Sequence, residues 1–275
     1  MKNFVSFKWL DENLYKENLI VLDVRGDLSD PLEGQKLYDK GHIPNARFVS
    51  LEETLTGELG EHGGRHPLPN MESFLKDMKD LGIDNDSTVV IYDDGSLSFA
   101  GRLWWLLKYI GKEDVFVLEG GYNDWVRKGG EISVASPLVE KAEDLDLNIQ
   151  KNIIADMNLV KSTIDKNNVA IIDSRNHERY TGEVEPLDKK AGRIPSAINY
   201  PFGELIEEDF PTVEEIKDHF KELENYDDLI LYCGSGISAT VNYLFIEEAG
   251  LEPKLYPGSF SDWISYEENE IETDF

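Results

Sequence analysis

The chain repeats itself, and that constrains its fold more than any other feature. Leu22-Asp23-Val24-Arg25 returns as Ile172-Asp173-Ser174-Arg175, and Gly41-His42-Ile43-Pro44-Asn45-Ala46 returns as Gly192-Arg193-Ile194-Pro195-Ser196-Ala197. Val90-Ile91-Tyr92-Asp93 matches Ile230-Leu231-Tyr232-Cys233, and Gly121-Tyr122-Asn123-Asp124-Trp125 matches Ser259-Phe260-Ser261-Asp262-Trp263. Four blocks recurring in one order, with a spacing that drifts through insertions and deletions, mark a duplicated domain. The 275 residues divide on this basis into 1–132, a charge-rich linker over 133–152 that has no repeat partner, and 153–275.

Each half alternates short apolar runs with amphipathic stretches. Leu19–Leu22, Val89–Tyr92, Val115–Leu118, Val169–Ile172 and Leu229–Tyr232 read as buried strands. Phe74–Leu81, Phe99–Ile110, Val213–Leu223 and Ala239–Ala249 read as helices, with Gly111 and Gly250 placed as C-terminal caps. Strands alternating with helices predict an α/β fold, each half a mainly parallel central sheet flanked by helices. Sites in such sheets lie beyond the carboxyl ends of strands.

Charge narrows the partners. The chain carries 55 acidic against 27 basic residues, a formal net of −28. That argues against nucleic acid or an anionic membrane, which call for basic surface. No apolar run approaches the roughly 18 residues of a spanning helix, and Met1–Leu10 lacks the apolar core of a signal peptide. One cysteine excludes an internal disulfide framework and fits a reducing cytoplasm.

That cysteine, Cys233, opens the run Cys233-Gly234-Ser235-Gly236-Ile237-Ser238 between a predicted strand and a predicted helix. Backbone N–H groups in a Gly-rich turn at a helix N-terminus favour a thiolate, the reactive form of the residue. Cys233 is therefore a candidate nucleophile, against the plainer alternative of a buried structural thiol. His62 and His66 flank two glycines with no third ligand in view, so neither a metal nor a cofactor is expected. Asp23, Arg25, Asp173 and Arg175 follow strands and read as structural pairs tying loop to sheet. Trp104, Trp105 and Trp125 read as packing residues.

Taken together, the Asp-Val/Ser-Arg, Gly-His/Arg-Ile-Pro, Cys233-loop and Trp motifs resemble the tandem rhodanese-like sulfurtransferases over nearly the whole chain. The resemblance implies a catalytic C-terminal half and an N-terminal half without a nucleophile, in agreement with Asp93 standing where Cys233 does. It implies that the Cys233 thiolate takes sulfur from a small anionic donor as a persulfide. The outer sulfur then passes to a thiol acceptor, a thioredoxin-like protein among the candidates, or to cyanide. Family members with Cys-Gly-Ser-Gly at the loop prefer 3-mercaptopyruvate, and those with basic residues there prefer thiosulfate. By the same resemblance Ser235 and His66 relay a proton to the leaving enolate, and Arg179 grips the donor carboxylate. Gly234, Gly236, Ile237 and Ser238 line the substrate-binding loop. An acid is sought after Ala46, where Glu52 is nearest although the family has Asp. A second arginine is expected near Leu187 and absent, with Lys189 or Lys190 as substitutes, and Arg193 replaces the usual His of its block. Related domains act as cysteine phosphatases, which need an Arg six residues after the Cys. Residue 239 is Ala and no Arg follows Cys233, so that chemistry is excluded. A non-catalytic sulfur-relay or binding module is the remaining alternative.

Overall fold

The computed structural model describes residues 1–206 and 210–275, and the chain separates into two compact units. The first comprises Met1–Gly57 and Pro69–Gln150, and the second Glu58–Leu68 and Lys151–Phe275.

The first unit is built on five strands: β1 (Phe4–Val5), β2 (Leu19–Asp23), β3 (Arg47–Phe48), β4 (Thr88–Tyr92) and β5 (Val115–Leu118). They pair in the order β1-β5-β4-β2-β3, every pair parallel. The helices are α1 (Phe7–Asn13), α2 (Glu33–Lys40), α3 (Leu51–Thr54), α4 (Met71–Asp80), α5 (Ser98–Tyr109) and α6 (Gly121–Arg127). Central strands β2 and β4 are continuous runs of Val, Ile, Leu and Tyr because both faces of a parallel sheet are covered. The apolar helix α5 is buried nearly all round, Trp104 and Trp105 included.

The second unit repeats the plan with β6 (Val169–Asp173), β7 (Ile198–Asn199), β8 (Asp228–Tyr232) and β9 (Pro253–Leu255), ordered β7-β6-β8-β9 and all parallel. Its helices are α7 (Met157–Thr163), α8 (His177–Thr181), α9 (Val213–His219), α10 (Ala239–Ala249) and α11 (Ser259–Trp263). The helix expected over Val213–Leu223 breaks at Phe220 and continues as a 3-10 segment over Lys221–Asn225. The Thr212–Glu215 capping box fixes its start.

The repeated blocks perform the same task in each unit. Arg25 pairs with Asp23 at 2.6 Å and Arg175 with Asp173 at 2.6 Å, all four buried. Each guanidinium also donates to a glycine carbonyl of the Ile-Pro block, Gly41 or Gly192, at 2.7 Å. The strand-end tyrosines repeat as well: Tyr92 and Tyr232 each accept an N–H through their hydroxyl, from Ile43 and Ile194, at 3.1 Å. Trp125 and Trp263 each donate Nε1–H to a glutamate carbonyl, Glu131 or Glu270. Arg193, which stands where the first block has His42, pairs with Glu272 and Asp274 and lies over Tyr180.

Two segments depart from simple repetition. The charged stretch after Ser133 is tied along the first unit by backbone bonds from Ser133, Ala142 and Asn148 to His42, Lys79 and Ile110. Residues 58–68 leave the first unit's sequence and join the second. Gly63 N–H donates to Asp262 at 2.7 Å, Arg65 N–H to Ser261 at 3.0 Å, and His62 stacks on Tyr266 at 3.9 Å. Gly64 has φ +79°, and a Cβ there would run into the Gly258 carbonyl, so only glycine permits the approach.

Candidate active site

Strand β8 ends at Tyr232, and Cys233 is the next residue, at the carboxyl edge of the sheet. The chain then loops through Gly234–Ser238 into α10. Gly236 has φ +77°, and a Cβ at that position would collide with the Pro257 carbonyl, so the loop closes only with glycine. Gly236 N–H donates to Cys233 Sγ at 3.2 Å. The Cys233 amide donates to Ser259 Oγ at 3.1 Å, which anchors the nucleophile's own backbone. Ser259 holds a left-handed φ of +57° at the start of α11, where the first unit has Gly121 at +58°.

Cys233 is buried, and burial alone would push its thiol up. The Ser238 hydroxyl and the amides of Ala239, Ser235 and Gly236 outweigh that effect and hold it below the ordinary thiol value. A sulfur anion is thus favoured by a ring of donors rather than by a neighbouring base.

The 58–68 segment brings His66 to this loop. His66 Nδ1 lies 2.8 Å from Ser235 Oγ, so the two residues singled out for proton relay are joined. Arg179, on α8, forms ion pairs with Glu185 at 2.9 Å and Asp188 at 3.0 Å. Ile237 is buried in the loop, and Ser238 precedes α10. Glu52 is exposed on α3 of the first unit. Lys189 and Lys190 are exposed, as is Leu187.

Sequence reasoning missed Arg65, Asp188 and Ser259. Arg65 pairs with Asp188, the same carboxylate that holds Arg179. A Cβ on Gly234 would lie 2.9 Å from Arg65 Nη2 and 3.2 Å from Arg179 Nη2. Gly234 and Ser235 carry no charge, yet two guanidinium groups hang over Gly234. The adjacency of Arg65 to His66 is the one signal that could have pointed to it. The loop of the first unit is filled by its own side chain: Asp93 accepts from the amides of Gly95, Leu97, Phe99 and Ala100 at 2.9–3.2 Å. Burial pushes that carboxyl up to about 6.

A rhodanese-like domain family matches residues 6–128 and again 156–266. A probable 3-mercaptopyruvate sulfurtransferase of Pseudomonas aeruginosa is 35% identical over 93% of each chain. A putative thiosulfate sulfurtransferase of Mycobacterium tuberculosis is 34% identical, over 89% of this chain and 87% of that one. The crystal structure of the 3-mercaptopyruvate sulfurtransferase SseA from Escherichia coli superposes with a TM-score of 0.83 at 30% identity, covering 95% of this chain and all of that one. Twofold match, duplicated architecture and a cysteine loop at the sheet edge lead to one assignment: the chain belongs to the rhodanese-like family, as a tandem-domain sulfurtransferase.

Proposed function

We propose that Cys233 carries the transferred sulfur and that 3-mercaptopyruvate is the preferred donor, with thiosulfate second. The first half of the proposal rests on the donors converging on Sγ from Gly236, Ser235, Ala239 and Ser238. A persulfide is anionic, and such a ring stabilises it without a metal.

The Cys233 thiolate attacks the thiol sulfur of the donor. An S–S bond forms, the C–S bond breaks, and its electron pair leaves as the enolate of pyruvate. Ser235 gives that enolate a proton, which His66 replaces across the 2.8 Å contact. In the second step an acceptor thiolate attacks the outer sulfur and releases Cys233 as thiolate. Cyanide would leave as thiocyanate by the same attack. A thioredoxin-like dithiol acceptor and a cytoplasmic setting belong to this reading, since the lone thiol must stay reduced between cycles. The first unit, whose loop holds Asp93, is non-catalytic.

The donor preference rests on the His66–Ser235 hydrogen bond, because sulfite leaves thiosulfate without needing a proton whereas an enolate needs one. Comparing kcat/KM for the two donors with cyanide as acceptor tests it. A higher value for 3-mercaptopyruvate supports the reading, and a higher value for thiosulfate overturns the donor choice while leaving sulfur transfer intact.

A further inference from the structure

We propose that the first unit holds a second ligand site, a cavity for a small zwitterion of the α-amino-acid class with an apolar side chain. The cavity, about 370 Å³, lies at the carboxyl edge of the first sheet and falls in the size range of small-molecule sites. Arg25 follows β2, Lys40 closes α2, Asp94 stands two residues beyond β4, and α6 supplies Tyr122 and Val126.

The duplication shows which partner this cavity lacks. In the second unit Arg175, the repeat counterpart of Arg25, donates Nη1 to Glu185 at 3.2 Å. Arg25 directs Nε and Nη2 to Asp23, Leu37 and Gly41, and its Nη1 has no acceptor among the described residues. The side chain is only 4% exposed, so a charged donor is left open on a largely buried group. Such a donor calls for an anion, and a carboxylate would fill the place that Glu185 fills in the other unit. Lys40, exposed and without a partner among the described residues, adds a second positive charge to the lining.

Asp94 argues against a simple anion. Its Oδ1 accepts from the Ser96 N–H at 3.0 Å, and its Oδ2 has no partner among the described residues. A carboxylate set among the lining cations repels a dianion but pairs with an ammonium group on the same ligand. Leu37, Val126, Ile132 and the Tyr122 ring, over which the Arg25 guanidinium lies at 3.7 Å, give the cavity its apolar part. Val126 and Ile132 are exposed, and a ligand side chain would cover them. Carboxylate, ammonium and apolar chain are thus each matched.

Calorimetry on the full-length protein tests this with L-leucine as the probe. N-acetyl-L-leucine, which lacks the ammonium, and L-leucinamide, which lacks the carboxylate, should each bind about tenfold more weakly. Asp94→Asn should weaken leucine about tenfold and change N-acetyl-leucine less than about twofold. Lys40→Gln should weaken leucine and leave leucinamide within about twofold. Both side chains are exposed, so the variants should keep the wild-type unfolding midpoint. Absence of saturable leucine binding overturns the proposal, as does equal binding of leucine and N-acetyl-leucine. Leucine binding lost in Arg179→Gln but retained in Asp94→Asn would place the ligand at the Cys233 loop and overturn it too.

Discussion

Cys233 shows how a buried lone thiol is biased toward its anion. Its burial opposes ionisation, and four donors from its own loop reverse the balance. The rate of iodoacetamide alkylation should therefore reach half its plateau below the pH of about 8.5 typical of a free thiol. A midpoint at or above that value would show that the donor ring does not outweigh burial. In the proposed mechanism Ser235 and His66 act one step later. His66→Ala should cut kcat with 3-mercaptopyruvate by about 10²-fold or more, the usual scale of general acid catalysis, and change thiosulfate turnover far less. Equal losses with both donors would mean that His66 positions the loop rather than supplies a proton. Arg175, by contrast, is spent on Asp173, Glu185 and Gly192 and carries the fold. At this scale the sequence marked the residues that the structure gathers at one loop, Cys233, its glycines and Ser235. Arg65 and Asp188 were not legible, because an ion pair across 123 positions leaves no local pattern.

Among elements, the two cysteine-position loops are the instructive pair. In the second unit the loop amides face a sulfur, and in the first they face the carboxylate of Asp93. Asp93→Ala would leave the amides of Gly95, Leu97, Phe99 and Ala100 without their acceptor in a buried site. The expected cost is about 2–4 kcal/mol of stability, read from denaturant unfolding, since each unsatisfied buried donor costs about 1–3 kcal/mol and some will find water. Sulfur loading at Cys233 should survive in the variant under native conditions. Loss of loading without loss of stability would give the first unit a direct chemical part. The central strands and long helices were readable from apolar periodicity. The two-residue strands β1, β3 and β7 were not, being too short to show any alternation. Residues 58–68 were equally opaque: they join the second unit through N–H bonds to Ser261 and Asp262 and through the bare backbone of Gly64.

The whole molecule carries −28, and both proposed donors are anions. Around the loop three arginines (Arg65, Arg175 and Arg179) meet three carboxylates (Asp173, Glu185 and Asp188), so the site offers directed donors with little net charge. The long-range field is therefore repulsive, and salt screens it over about 8 Å at physiological strength. Raising ionic strength from low values should increase kcat/KM, and more for dianionic thiosulfate than for monoanionic 3-mercaptopyruvate. A fall with salt would show that local attraction governs encounter. The duplication itself was the most legible property of the chain, because paired Asp–Arg, Tyr and Trp contacts close each unit in the same way. In the proposed mechanism sulfur rests on Cys233 between donor and acceptor. Mass spectrometry of the protein incubated with 3-mercaptopyruvate, then digested without reductant, tests it directly. One added sulfur is expected on the peptide bearing Cys233, removed by cyanide and absent from Cys233→Ser. Turnover by Cys233→Ser at near wild-type rate, with no sulfur on that peptide in the wild type, would contradict it.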